Sequence, residues 1–308
     1  MDGGTLEDVT IPCNNCGADA PVVLFEAGRA QPARIVRCGS CGLIYASPRH
    51  RIPDHALHEE ANATHALKGV LNDSDHPYAW RLEKESGQVR DFERSRRILH
   101  RLYPQGGKMV EVGSGLGYLL KSFKDEGWDV LGVDPWRATP TFTQEAHGIE
   151  TVPATLEEAK LPDASTDVVV LLHVIEHVPD PHATLSEIYR VLKPGGHLVM
   201  ETPRYDTLMF KLLGHRERSL RCDGHIYFFT FESLQKAYEK AGFVEVDTRA
   251  VGRTLSMDRL LWNVGTVLGS EGLREALRNM GRKTGIGTLK FSLNLRDMQR
   301  VIVRKELM

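Results

Sequence analysis

From Lys108 onward the chain alternates short β-branched runs with helical segments, and no other feature constrains the fold as much. KMVEV at Lys108–Val112 and DVLGV at Asp129–Val133 read as strands, with a weak third strand at 149–152. The run DVVVLL at 167–172 suits a strand buried on both faces. Strands at 197–201 and from 243 to 246 follow. Helices are expected at 119–126, 141–147, 184–192 and 231–241; the third stops at Pro194-Gly195-Gly196 and the last at Gly242. Such alternation predicts a doubly wound α/β domain with a mostly parallel sheet covered on both sides. Leu260, Leu261, Val264 and Leu268 at helical spacing predict a helical insertion over 251–295. RVIVRK at 300–305 then returns as an antiparallel last strand. Before the alternating region, 77–103 reads as a helix ended by Gly106-Gly107. The expected division is 1–50 as a small cysteine-bearing module, 51–104 as a linker and helical segment, and 105–308 as the main domain, with a lid at 203–229.

EVGSGLG, Glu111 to Gly117, follows the first strand of the main domain and opens a helix. Glycines at 113, 115 and 117 allow a tight turn and close approach of a ligand to the amides. The helix N-terminus adds N–H groups that favour an anionic group. A dinucleotide site would read G-x-G-x-x-G, and here Tyr118 takes the place of that third glycine. The second strand ends VLGVDP, so Asp134 lies 21 positions after Gly113, where an acid can accept both hydroxyls of a ribose. Loop and acid together point to an adenosine-containing ligand.

Two further groups carry chemistry. Cys13-x-x-Cys16 and Cys38-x-x-Cys41 are separated by 21 residues and provide four thiolates for a tetrahedral, structural Zn²⁺. An iron–sulfur site also accepts four cysteines, and reduced thiols without metal are the bland alternative; paired knuckles fit a zinc ribbon best. Such a site is expected to be remote from the chemistry. HVIEH, His173 to His177, matches an inverted zinc-protease pattern, but that chemistry needs a helix, and DVVVLL places the motif at a strand end. His177 suits proton transfer near neutral pH. After the fifth strand, a basic and aromatic segment is too long for a simple connection. Arg204 and His225 sit closest to the expected acceptor side, with Tyr227 nearby, and the bland reading of most of this segment is a solvated charged loop.

With these motifs the chain resembles the class I S-adenosylmethionine-dependent methyltransferases, in particular the branch with ubiquinone-biosynthesis O-methyltransferases and small-molecule methyltransferases. EVGSGLG, LGVDP, LPDASTDVVVLLHVIEHVPDP and VLKPGGHLVMETP carry the resemblance. It implies a Rossmann-like methyltransferase sheet binding S-adenosyl-L-methionine. Glu111, Gly113, Ser114, Gly115 and Gly117 would line the methionine part, and Asp134 with Pro135 the ribose. Thr155 and Leu156 would stand near the adenine, where relatives often have an acid that this chain lacks; the backbone of Leu156 could replace it. His173 would face the sulfonium, and Glu176 with His177 would form the active-site floor. Many relatives carry an N-terminal ribbon followed by a stretch like YASPR at 45–49.

Composition bounds the partners. Of 308 residues, 41% are hydrophobic and 26% charged, and the formal net charge is -2, which argues against nucleic acid as main partner. No apolar run could span a membrane and the first residues have no secretory pattern, so the cytoplasm is the default location. The leading reading is O-methylation of a small-molecule acceptor such as a sugar or natural-product intermediate, anionic or ring-bearing. The expected base is His225, with His177 as an orienting or substrate-binding group and Arg204 and Tyr227 as further acceptor contacts. An RNA methyltransferase gripping its substrate through the ribbon is the second reading. A catalytically silent protein that kept the fold is the third.

Overall fold

The structure is a computed structural model describing residues 8–28, 33–50, 87–217, 220, 224–258, 260–261 and 271–307. Of the expected linker and helical segment at 51–104, residues 51–86 lie outside the described residues. The N-terminal module contributes β1 (Asp8–Val9), β2 (Pro21–Phe25), β3 (Ile35–Cys38), β4 (Ile44–Ala46) and β5 (Arg49–His50). Then follow α1 (Glu93–Leu102), β6 (Lys108–Val112), α2 (Tyr118–Lys124), β7 (Asp129–Val133), α3 (Thr139–His147), β8 (Thr151–Val152), α4 (Leu156–Ala159) and β9 (Thr166–Leu172). The remainder is α5 (Pro181–Val191), β10 (Leu192–Pro203), α6 (Leu208–Leu213), β11 (Tyr227–Phe228), α7 (Phe231–Lys240), β12 (Phe243–Ser256), α8 (Glu271–Thr284) and β13 (Lys290–Lys305).

Seven strands form the main sheet in the order β12-β13-β10-β9-β6-β7-β8. The pairs from β10 to β8 are parallel, and β13 runs antiparallel between β10 and β12. Side chains alternate across it. Val110, Val169, Leu171, Leu198, Val301 and Val303 join α5 and α7 on one face. Met109, Val168, Val170, Val199 and Ile302 meet Leu99, Leu120 and Phe123 on the other. The sheet is therefore doubly wound, as the sequence predicts. Strand order reverses at β6, so the crevice beyond the carboxyl ends of β6 and β9 is where such a sheet takes a ligand.

Two local readings are corrected. Pro194-Gly195-Gly196 does not separate helix from strand: α5 ends at Val191, and the three residues form an irregularity inside β10, where the register shifts between Leu192 and His197. The helical insertion over 251–295 is shorter than expected. Residues up to Ser256 extend β12, and β13 begins at Lys290; the two pair from Phe243↔Lys305 out to Ser256↔Lys290. Phe291 and Leu293 alternate with exposed Lys290, Ser292 and Asn294, a period of two that the helical spacing of the central leucines masks. The final antiparallel strand stands, ten residues longer at its start.

The cysteine module is not a separate appendage. Its four-stranded sheet has the order β11-β4-β3-β2, so its edge strand comes from the end of the lid, with Tyr227 opposite Tyr45. Asn15 Nδ2 donates to Ser233 O at 2.8 Å and Lys240 Nζ to Asn15 O at 3.0 Å, which seats the first knuckle on α7.

Candidate active site and metal centre

The loop after β6 is shaped by its glycines and by one acid. Gly113 adopts φ +71°, and a Cβ there would lie 2.4 Å from Val174 Cγ2, so only glycine allows the loop to lie against the turn after β9. The Asp134 carboxylate accepts from Gly115 N at 2.8 Å and from Trp136 N at 2.9 Å. It is buried at the end of β7 and holds the glycine loop and the following turn in place. A strand-end acid at this position is where such a sheet meets the hydroxyls of a ribose. Ser114 is buried, and among the described residues its Oγ has no hydrogen-bond partner, as expected of a group that waits for a ligand.

Thr155 and Leu156 follow β8, as expected. Thr155 Oγ1 accepts from Glu158 N, and Glu158 returns a bond to Thr155 N, a capping box for α4. The Leu156 side chain is buried in the main core. The Leu156 side chain therefore points into the core, and only its main-chain groups remain for the adenine contact expected there. Trp136 was not singled out from sequence; it packs with Leu116, Ala138 and Phe142 beside the glycine loop. A tryptophan two positions after the strand-end acid is the signal that marks it.

HVIEH forms a turn after β9, which removes the protease geometry. His173 stands at φ +60°, a conformation that costs a non-glycine residue free energy and marks a constrained site. Its Nδ1 lies 3.5 Å from Glu176 Oε1 and its Nε2 3.3 Å from Glu201 Oε1. Glu201 in turn binds the buried Arg300, whose Nε is 2.7 Å from Glu201 Oε2. Burial alone would raise the Glu176 carboxyl, but His173, His177 and His225 outweigh it and lower it to about 2. Burial likewise opposes ionisation of Glu201, and Arg300 with His173 brings it to about 2. Both carboxylates are therefore ionised, and His173 bridges them. Glu201 and Arg300 drew no attention in the sequence, because a strand-end acid and a basic residue 99 positions on carry no joint pattern.

The expected histidine pair is brought together. His177 and His225 have ring centroids 4.6 Å apart at 80°. His177 Nδ1 donates to Gly224 O at 2.9 Å, and Ile226 N and Tyr227 N donate to Glu176 O at 2.8 and 3.1 Å. The lid end is thus pinned to the HVIEH turn. Of the two further acceptor residues, Tyr227 is placed differently from expectation, whereas Arg204 directly follows β10. Tyr227 is fully buried, with its hydroxyl 2.5 Å from Asn14 Oδ1 and 3.1 Å from Pro179 O, so it joins the cysteine module to the domain and presents no face to an acceptor. Arg204 pairs with Asp206 and stacks over Phe231 at 4.1 Å.

Four thiols gather on the module. Cys13 Sγ lies 3.4 Å from Cys41 Sγ and Cys16 Sγ 3.6 Å from Cys38 Sγ, and all four lie within 4.8 Å of one another. A tetrahedral Zn²⁺ with bonds of about 2.3 Å spaces its sulfurs by roughly 3.8 Å, so the cluster fits the ion. Burial pushes the Cys13 and Cys41 thiols up. At Cys38 burial acts the same way, but the amides of Cys41 and Ser40 outweigh it and bring the thiol to about 7. The module is not remote from the histidine pair: β11 begins two residues after His225.

Fold and site together define a doubly wound α/β domain with a glycine loop and an acid at the ends of β6 and β7 and a histidine cluster after β9. The chain belongs to the methyltransferase domain family, which it matches over residues 88–248. Its fold is that of the class I S-adenosylmethionine-dependent methyltransferases. It is 34% identical over 156 residues to the "Probable S-adenosylmethionine-dependent methyltransferase" of Mycolicibacterium smegmatis, covering 50% of this chain and 58% of that one. Over 148 residues it is 31% identical to the ubiquinone biosynthesis O-methyltransferase of Pectobacterium carotovorum, covering 42% of this chain and 62% of that one. The chain thus spans about three fifths of the length of these relatives. A chain in the solved complex between the Trm112 methyltransferase activator of Haloferax volcanii and a candidate methyltransferase shares the fold, with a TM-score of 0.51, 16% identity, and coverage of 75% of this chain and 96% of that one. Among the described residues no helix is long and apolar enough to cross a membrane.

Proposed function

We propose that the chain transfers the methyl group of S-adenosylmethionine to a hydroxyl oxygen of a small biosynthetic acceptor. The contact that carries this reading is Gly113 against Val174: it sets the cofactor loop directly beside the turn that bears His173, Glu176 and His177. The glycine loop thus lies against the turn that carries His177, three residues after Val174. The likeness to ubiquinone biosynthesis O-methyltransferases supports oxygen as the atom methylated.

The sulfonium supplies an activated methyl group and a good leaving group. The residues of this chain have two tasks: to position the acceptor in line and to take its proton. Asp134, Gly113, Ser114 and Gly115 hold the cofactor. His225 accepts the acceptor's hydroxyl proton, and His177, held by Gly224 O, orients the acceptor. Arg204 stands at the end of β10 on the same rim. Cys13, Cys16, Cys38 and Cys41 hold a structural Zn²⁺ that fixes β4 and, through it, β11.

The test is release of S-adenosylhomocysteine with a panel of hydroxylated metabolites. A turnover that rises with pH along an acidic limb, and loses that limb in His225→Gln, supports the base. Turnover with RNA and none with small molecules would contradict the acceptor class.

A further inference from the structure

We propose that Glu201 and Arg300 are positioning residues for methyl transfer, acting through His173 and Glu176 on the acceptor histidines His177 and His225. The inference deepens the reading of those two histidines as the acceptor site and rests on it.

Glu201 and Arg300 stand opposite each other in the β10–β13 register. Arg300 is buried and held at its outer end: Nη1 donates to Asp91 O at 2.7 Å, and the guanidinium lies over the Phe92 ring at 5.0 Å. Its Nε donates to Glu201 Oε2 at 2.7 Å, which leaves Oε1 for His173. Glu201 grips His173 twice. Its main-chain O accepts from His173 N at 2.8 Å, and its Oε1 lies 3.3 Å from His173 Nε2. The other ring nitrogen faces Glu176 Oε1 at 3.5 Å. With an ionised carboxylate at each nitrogen, the ring carries both N–H groups and is an imidazolium. The left-handed backbone of His173 persists because these neighbours over-determine it.

Glu176 passes this placement on. Thr202 Oγ1 donates to its Oε2 at 3.0 Å, on the oxygen away from His173. His177 is the next residue in the chain. The Glu176 carbonyl accepts from Ile226 N at 2.8 Å, and Ile226 directly follows His225. Each acceptor histidine is thus one residue from a group that Glu176 fixes. Well-packed apolar residues often replace a buried ion pair with no loss of stability. Stability therefore does not explain why an ionic chain crosses β13 and β10 to end beside these two rings.

The experiment is nitrogen-15 NMR of the histidine rings in the zinc-loaded full-length chain, wild type against Glu201→Gln. In the wild type His173 should keep both ring protons well above the ordinary value of about 6.5, and an Overhauser contact should join the His177 and His225 rings. In Glu201→Gln the His173 ring should lose a proton nearer that value and the contact should weaken. With a hydroxylated metabolite that the wild type turns over, kcat should fall at least about tenfold and the KM for S-adenosylmethionine should stay within about threefold. Glu201→Gln alone leaves Arg300 buried and unpaired, so Glu201→Gln combined with Arg300→Met, which removes both charges, is the second variant and should give the same changes in a chain that circular dichroism shows to be folded. An unchanged His173 titration, an unmoved histidine pair or a wild-type kcat in either folded variant would overturn the proposal. A wild type that turns over no acceptor counts against the proposed function, and the ring measurements then decide the positioning by themselves.

Discussion

The Tyr227 hydroxyl donates to Asn14 Oδ1 at 2.5 Å, linking the loop between Cys13 and Cys16 to the strand that follows His225. Tyr227 N also donates to Glu176 O, so one residue connects the knuckle to the HVIEH turn. Tyr227→Phe leaves the buried ring in place and removes only the hydroxyl. Its acceptors, half-buried Asn14 and exposed Pro179, can turn to water, so loss of the hydroxyl should cost about 0.5–1.5 kcal/mol. Urea unfolding measures it, and a loss under a few tenths of a kcal/mol would show that the link is incidental.

Removal of the Zn²⁺ proposed for the four cysteines should act through the same link. Chelation should release β4 and β11 and change the environment of His225, while Asp134 and the glycine loop lie on the other side of β9. The expected result is a shift of the His177 and His225 ring resonances with S-adenosylmethionine affinity within about threefold of the starting value. Unmoved histidine resonances after complete metal loss would contradict the coupling.

A pH dependence of stability follows from His197. Burial, followed by the charge of Arg304, lowers its pKa from 6.5 to about 4. The ring is therefore neutral in the folded chain at pH values where the unfolded chain has bound a proton. Stability is full above pH 6.5 and falls as the pH drops toward 4, by roughly 3 kcal/mol at 1.36 kcal/mol per pH unit. The Tyr103 hydroxyl, 2.7 Å from His197 Nδ1, matches the neutral form. Glu176 and Glu201 act in a lower window, from 4.5 down to about 2. Urea midpoints between pH 4 and 6.5 should flatten in His197→Gln, and an unchanged slope would assign the loss elsewhere.

Gly113→Ala should weaken both folding and cofactor binding. The new methyl meets Val174 Cγ2, and the left-handed backbone adds about 1 kcal/mol for any residue with a Cβ. Combining it with Val174→Ala should recover the part due to contact and leave the part due to φ. If calorimetry found the single variant equal to wild type, the loop would have to lie away from the HVIEH turn.

The mostly parallel sheet, covered on both faces, was legible because DVVVLL and its neighbours repeat with a strong local pattern. The glycine loop and Asp134 were legible for the same reason, since their spacing is set by one strand–loop–helix unit. The long β12–β13 pair was not: in 251–256 and 290–295 the alternation is weak, and the central leucines set the period that was extended outward. Tyr227 was misplaced because its partner, Asn14, lies 213 positions away, and pairing between distant strands leaves no mark in either segment. Glu201 and Arg300 were hidden for that reason too. The closeness of His177 and His225 was expected from their placement at two loop ends, but Gly224, which holds one ring, offered no signal beyond a glycine in a loop.

The central claim is that S-adenosylmethionine lies across Gly113–Gly117 with its ribose on Asp134. Titration calorimetry of the wild-type chain and Asp134→Ala tests it most directly. The wild type should bind one S-adenosylmethionine per chain. The variant should lose roughly 1.5–3 kcal/mol for each charge-assisted hydrogen bond to the ribose, with a further loss as Gly115 N and Trp136 N give up their acceptor. Asp134→Asn, which keeps an oxygen toward the loop, should fall between the two. Equal affinity in wild type and Asp134→Ala would contradict the account.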